Sequence, residues 1–550
     1  MTIVSDILGI FSALFVIALG LGAVALAVMY VVDITQTTHA IRRNYPVVGR
    51  FRYTFETMGE FFRQYFFAMD REELPFNRAE RAWAYRAAKG VDSTVAFGST
   101  RDLRPAGTAI FVNTPFPGLD AENRPTAPVT IGPYCRTPYT TDRFFHISAM
   151  SFGAISKPAV IALSRGAKAA GCWLNTGEGG LAPYHLEGGA DIVFQMGTAK
   201  YGVRDAEGEL DEGKLRELAR HPQVKMIEVK LSQGAKPGKG GILPAAKVTP
   251  EIARIRGIPA GQDSLSPNRH TDIRDCNELL DFLDHVRGVT GKPVGFKTVV
   301  GSVGWLEELF SEVQRRGLRY APDFITLDSG DGGTGAAPMA LIDNVGLPIR
   351  ESLPLVADLL HRHGLKERVR LIASGKLTTP ANVAWALCMG ADFVTSARGF
   401  MFALGCIQAL RCNQNTCPTG ITTHDPHLQR GLVPADKAAR VMRYQQNMEK
   451  EVSVIAHSCG APEVRQLRRE HCRIVQGNGR SMPLNELFPQ PAVTAGTPSG
   501  ATGVPPGENG VRDSLARGIP VAPEGAPTYR IVTSSSAAVG WIATVSSKSR

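Results

Sequence analysis

Between residues 145 and 396 the chain repeats one pattern eight times: a short apolar run closes on glycine or a small polar residue, and a stretch of helical character follows. The runs are 145–151, 173–177, 192–195, 227–230, 294–297, 324–329, 371–374 and 393–396. Strands that alternate with helices predict a parallel sheet. Polar and glycine residues at strand C-termini are where a closed (β/α)8 barrel builds its site. A doubly wound sheet is the competing architecture and is expected to carry G-x-G-x-x-G after an early strand. None follows an early run here, and the phosphate loop G-x-x-x-x-G-K-[ST] is absent. The expected fold is therefore α/β: a (β/α)8 TIM-like barrel, preceded by an N-terminal transmembrane helix and followed by a disordered tail.

Glycine-rich turns close four of the runs: NTGEGG (175–180) after the second, SGDGGTGAAP (329–338) after the sixth, SGK (374–376) after the seventh and SAR (396–398) after the eighth. Backbone amides in such turns, aimed at one point, make an anion nest. In barrels the loops after strands seven and eight are the usual phosphate site. Any one turn alone reads better as an ordinary tight turn, which needs glycine anyway. Four at one end of one barrel point to a phosphate-bearing cofactor, with Thr176, Gly332 and Gly333 among its contacts.

The remaining polar strand ends suit a flavin. Lys297, closing Val-Gly-Phe, would stand by the N1 and C2 carbonyl edge, where a positive charge stabilises the anionic reduced ring. Asn175 and Gln195 can hydrogen-bond that ring's polar edge, or be buried amides satisfied by the protein. In KLSQGAKPGKGGILP (230–244), Lys230 and Gln233 are placed to hold a dianionic substrate, with Lys236 and Lys239 helping to attract it. A solvated basic loop is the plainer reading of that segment.

Cys406, Cys412 and Cys417 follow in the spacing Cys-x5-Cys-x4-Cys, with Pro418 after the last. Thiolates ligate iron–sulfur clusters. A zinc site normally wants four ligands, usually with a close pair. Three thiolates suit a [3Fe–4S] centre; by themselves they also fit three buried structural cysteines. The chain has nine cysteines, unevenly spaced, which does not describe a secreted disulfide framework.

The two ends differ from the middle. Residues 7–32 hold no charged side chain over 26 positions, enough at about 1.5 Å per residue to cross a hydrocarbon core of about 30 Å. A cleaved signal peptide is disfavoured because the segment is long and no Lys or Arg precedes it. Arg42, Arg43, Arg50 and Arg52 follow it, so the positive-inside rule puts the bulk of the chain in the cytoplasm, on a single-pass span of the inner (cytoplasmic) membrane. The net charge of +10 then finds anionic lipid headgroups as its simplest partner. No nucleic-acid module or aromatic-basic interleaving is present, so no nucleic-acid partner is expected. The expected domains are the anchor (1–32), a helical connector rich in basic and aromatic residues (33–95), the barrel with its cysteine motif (96–480), and a disordered Pro/Gly/Ser-rich tail (481–550). The connector either lies along the membrane face or packs as a plain helix.

SAMSFGAIS, NTGEGG, KLSQGAKPGKGG, SGDGGTGAAP and LGC-x5-C-x4-CP-x-G, in this order over roughly residues 140–425, resemble the FMN-binding synthase domain of glutamate synthase. The whole chain resembles the stand-alone, membrane-anchored members of that FMN-binding glutamate synthase family. The resemblance implies an FMN-dependent oxidoreductase in which two electrons reach FMN through a [3Fe–4S] cluster and a hydride passes to 2-iminoglutarate, formed from 2-oxoglutarate and ammonia, to give L-glutamate. Carried over residue by residue, it implies flavin contacts at Met150, Ser151, Asn175, Gln195 and Lys297. It implies phosphate contacts at Gly375, Ser396 and Ala397, substrate contacts at Lys230 and Gln233, and cluster ligands at Cys406, Cys412 and Cys417.

Three departures qualify the resemblance. The full enzyme starts with a glutaminase domain whose nucleophile is an N-terminal cysteine, whereas this chain starts Met1-Thr2 and its first cysteine is Cys135; glutamine hydrolysis is not expected. The family's Asp-Gly-Gly before the phosphate site is Ser374-Gly375-Lys376 here. No second dinucleotide-binding unit is seen, so the electron donor is expected to be a partner: a ferredoxin, a flavoprotein subunit or a membrane carrier. A relative making another amine, such as an N-methylglutamate synthase subunit, an electron-transfer subunit without its own substrate, and a different FMN barrel using a cysteine nucleophile are the competing readings.

Overall fold

The computed structural model describes residues 2–493. Its centre is a closed barrel of eight parallel strands in chain order: β1 (Phe145–Ile147), β2 (Leu174–Asn175), β3 (Ile192–Met196), β4 (Val224–Lys230), β5 (Val294–Val299), β6 (Phe324–Asp328), β7 (Arg370–Ser374) and β8 (Phe393–Ser396). All eight predicted runs are barrel strands. β8 closes on β1 in parallel register through Val394 opposite Phe145. The strands are buried on both faces because helices cover the outside, which is why they read as nearly continuous apolar runs. At the N-terminal end the hairpin Val129–Ile131/Tyr139–Thr141 and a cluster of Trp173, Val193, Met226, Phe324, Ile372 and Phe393 plug the barrel. The C-terminal end stays open.

Helix boundaries follow local chemistry. Ser156 caps helix Lys157–Ala170 by accepting from the Ala159 amide, Pro158 occupies its first turn, and Gly171 ends it in the left-handed region. The 25-residue helix Pro434–Ser458 packs against that helix, along the barrel wall.

Before the barrel come α1 (Thr2–Thr35), α2 (Ala40–Asn44), α3 (Gly49–Phe62), continued by a π-helical turn Arg63–Phe67, and α4 (Arg78–Lys89). Over Val4–Thr35 the structure has one helix long and apolar enough to cross a membrane, by length and composition, and its apolar window buries nothing against the protein. It extends three residues past the boundary expected at 32. At the other end, strand Ser481–Pro483 pairs with Cys472–Val475 and helix Leu484–Leu487 buries Leu484. The folded body therefore continues beyond the boundary placed at 480: the tail as drawn from 481 begins too early, because a three-residue strand is too short for a periodicity to reveal. The rest of the expected tail, 494–550, lies outside the described residues.

Candidate active site

The open end of the barrel holds a cavity of about 600 Å³, within the range of small-ligand and cofactor sites. Glycine turns shape one wall. Gly177 has φ +64°, and a Cβ there would lie 2.5 Å from the Ser151 amide nitrogen. Gly375 has φ +122°, and its Cβ would lie 2.2 Å from that of Ser329. Neither position admits a side chain, so the loops after β2 and β7 press backbone against the loops after β1 and β6. Beside Gly375 the wall continues through Lys376, Ser396, Ala397 and Arg398. The Arg398 guanidinium lies over the Phe76 ring at 4.6 Å and donates to the Asp331 carbonyl at 3.5 Å. Lys376 pairs with Asp331 at 2.9 Å. Exposed amides and a permanently charged guanidinium form a surface suited to a phosphate.

The floor is polar and internally paired. Glu228 on β4 is buried and accepts from Asn175 at 2.8 Å, Gln195 at 2.6 Å and Thr326 at 2.6 Å. Lys297 on β5 pairs with Asp328 on β6 at 3.1 Å. Burial works against the Lys297 charge, but the Asp328 carboxylate and then Glu228 outweigh it, so its pKa is raised. Lys230 at the end of β4 pairs with Glu178 at 3.0 Å and donates to Gln233 Oε1. There burial dominates and lowers the lysine pKa, while Glu178 offsets part of the cost. The Glu178 carboxylate is partly buried, which raises its pKa, yet Lys230 holds it below its ordinary value. Lys236 lines the same cavity, is buried, and forms no ion pair among the described residues. Burial, reinforced by the Lys230 charge, brings its pKa down to about 8.

Residues 118–462 match the family described as a conserved region in glutamate synthase. The chain is 40% identical over 505 residues to the glutamate synthase large subunit-like protein YerD of Bacillus subtilis, covering 85% of this chain and 96% of that one. The chain belongs to the glutamate synthase family. The archaeal-type glutamate synthase [NADPH] of Thermotoga neapolitana is 33% identical over 323 residues, 58% of this chain and 60% of that protein; the archaeal glutamate synthase [NADPH] of Methanocaldococcus jannaschii is 34% identical over 343 residues, 62% of each. The chain thus spans about three-fifths of the length of these two relatives. Membership makes the protein an FMN-dependent oxidoreductase by class.

Within this family member, the cavity wall gathers Met150, Ser151, Gln195, Lys230, Gln233, Lys297, Gly332, Gly333, Gly375, Ser396 and Ala397 of the residues expected from sequence, and all three cysteines. Asn175 and Thr176 stand apart from it. Asn175 borders a small void under the floor and is committed to Glu228. The Thr176 hydroxyl is fully buried, bonded to the Gly177 carbonyl and the Gln195 amide. Gln195 reaches the cavity although its amide nitrogen serves Glu228. Sequence reasoning passed over Glu178, Glu228, Asp328 and Arg398 as site residues, and gave Lys236 only a part in attracting the substrate. Glu228 had a readable signal, a carboxylate inside the apolar run Met226-Ile227-Glu228-Val229.

The cysteine segment lines the same cavity. It is an irregular loop with Gln408, Leu410 and Asn415 at φ 58°, 55° and 60°. Tyr85 donates to the Cys406 carbonyl at 2.5 Å and Lys247 to the Cys412 carbonyl at 3.2 Å. The Gln408 amide lies 3.4 Å from the Cys406 sulfur, and Thr419 Oγ1 lies 3.4 Å from that of Cys417. Burial pushes the Cys406 thiol up to about 12. For Cys417 burial also raises, but the Thr419 and Thr422 hydroxyls and amides prevail and lower it. Among the described residues no three His, Cys, Asp or Glu stand close enough to hold a single metal ion. A cluster places its ligand sulfurs on different irons and so wants them farther apart. Three thiols on one cavity wall, with N–H and O–H donors beside two of the sulfurs, fit such a group.

Proposed function

We propose that the protein reduces 2-iminoglutarate, formed from 2-oxoglutarate and ammonia, to L-glutamate, with FMN in the barrel mouth and a [3Fe–4S] cluster on Cys406, Cys412 and Cys417. The observation that carries this reading is a single cavity lined together by Gly375 and Arg398, by the three cysteines, and by Lys230, Gln233 and Lys236. When bound, FMN supplies hydride chemistry and the cluster supplies single-electron transfer. The chain's own residues do the rest. Ser396, Ala397, Gly375 and Arg398 hold the phosphate. Lys297, kept charged by Asp328, stands where the ring's polar edge would lie. Lys236 offers an ammonium without a carboxylate of its own, and Lys230 and Gln233 present fixed donors beside it, so a dicarboxylate is clamped before reaction. Glu178, bonded to Lys230, keeps that lysine positioned.

In this reading free ammonia, rather than glutamine hydrolysed by this chain, supplies the nitrogen. The electrons come from an external donor. The apolar exterior of α1 and the arginines after it support a single-pass anchor in the cytoplasmic membrane with the barrel in the cytoplasm.

The test is to reduce the purified protein anaerobically and add 2-oxoglutarate with ammonium. Flavin reoxidation with stoichiometric glutamate is expected. No reoxidation overturns glutamate formation; reoxidation with methylammonium but not ammonium shifts the product to N-methylglutamate. Carbonate-washed membranes should retain the full chain.

A further inference from the structure

We infer that α3 and its π-helical extension lie in the bilayer interface and hold the cysteine side of the cavity against the membrane surface. The inference rests on the anchoring proposed for α1 and goes beyond it, since an anchor alone leaves the barrel free to tumble on a tether.

Three observations carry it. First, α1 does not lead into a free linker. Asp33, fully buried at its end, accepts from Arg50 at 2.8 Å, Arg42 at 3.1 Å and the Val47 amide at 3.0 Å. This clamp fixes the elbow between α1 and the start of α3. Second, α3 and its extension expose Phe51, Phe55, Met58 and Phe66 at intervals of four, three and eight residues, one stripe along a helix. Phe55 is 64% and Phe66 68% exposed. An apolar stripe of this length left uncovered marks an interaction surface. The exposed arginines Arg43, Arg52 and Arg63 beside it suit lipid phosphates. A bilayer is the occupant because the stripe is continuous in the chain with a helix whose apolar window buries nothing against the protein. Third, the far end is stapled to the cysteine loop. Gln64 donates to the Ile407 carbonyl at 2.9 Å, and Gln408 donates to Glu73 at 2.9 Å and to the Phe76 carbonyl at 3.1 Å. Leu74 and Leu410, both exposed, line the same cavity as the cysteines. With the stripe seated in lipid, Leu74, Ile407 and Leu410 face the bilayer, and a donor that reaches the cysteines arrives along or out of the membrane.

The experiment uses the full chain in nanodiscs containing anionic lipid. The photo-crosslinker p-benzoylphenylalanine replaces, one at a time, Leu14 in α1, Phe55, Phe66, Leu410, and Phe116. Phe116 is exposed in the loop where the Thr114 amide donates to the Ser458 carbonyl, at the opposite end of helix Pro434–Ser458 from the cysteine loop. Lipid adducts read by mass spectrometry are expected at 14, 55, 66 and 410 and absent at 116. Adducts at 14 with none at 55 and 66 overturn the inference while leaving the anchor intact. No adduct at 14 overturns the anchor itself. A double variant, F55E/F66E, which retains α1 and the barrel fold, is expected to lose the adduct at 410; its persistence also counts against the inference.

Discussion

The floor of the barrel mouth and its rim use the same residue types to opposite ends. On the floor every charge meets its complement: Glu228 takes three donors, Lys297 has Asp328, and Lys230 has Glu178. At the rim Lys236 forms no ion pair among the described residues, and Arg398 donates only to a backbone carbonyl and lies on an aromatic face. Burying a charge without a partner is costly. The floor avoids that cost internally and gains rigidity; the rim leaves it to be offset by an anionic ligand. A strand-end residue that the protein has already paired is thus held in position before a ligand arrives, whereas one left unpaired gains its complement only from the ligand.

The largest expected effect lies in the cysteine loop. Replacing Cys406, Cys412 or Cys417 by Ser should remove the iron and acid-labile sulfide while leaving flavin bound, since the phosphate wall shares no residue with the cysteine loop. Loss of both groups from these variants would merge the two ends into one unit. On the floor, Glu228→Ala leaves three buried donors unpaired and should cost about 3 kcal/mol of stability, measured by urea denaturation. At the rim, Lys236→Met should leave stability nearly unchanged but weaken 2-oxoglutarate binding by about 10- to 100-fold, the worth of a charge-assisted hydrogen bond of about 1.5–3 kcal/mol. The sign of its pH dependence follows from the lowered pKa: the ammonium is charged below about 8, so binding should weaken as pH rises through about 8, and Lys236→Met should flatten that profile in calorimetric titrations. The smallest effect is Asn175→Ala, about 1 kcal/mol of stability with flavin affinity unchanged; a large loss of flavin would return Asn175 to the ligand side of the comparison.

Much of this was legible in the sequence, for a physical reason in each case. Strands buried on both faces must be apolar throughout, so all eight announced themselves, and residues that must expose backbone to an anion must be Gly or small, so the turns at 175–180, 329–338 and 374–376 marked the open end. The cysteine spacing is local and survives folding. What sequence could not assign was pairing across the barrel. Whether Gln195 faces the cavity or Glu228, and whether Lys236 has a carboxylate, depends on neighbours more than 30 residues away. Asn175 and Thr176 illustrate the point: they open a turn that borders the cavity, yet their own side chains point into the wall. The stripe on α3 was visible as aromatic-rich sequence, but its exposure, and its staple to Ile407 through Gln64, appeared only with the fold.

The most direct test is the flavin, iron and sulfide content of the full-length protein purified anaerobically, read with its absorbance and EPR spectra. The account predicts one FMN and one three-iron cluster per chain, together in the same molecule. Protein that stays colourless after reconstitution with iron, sulfide and FMN would contradict it.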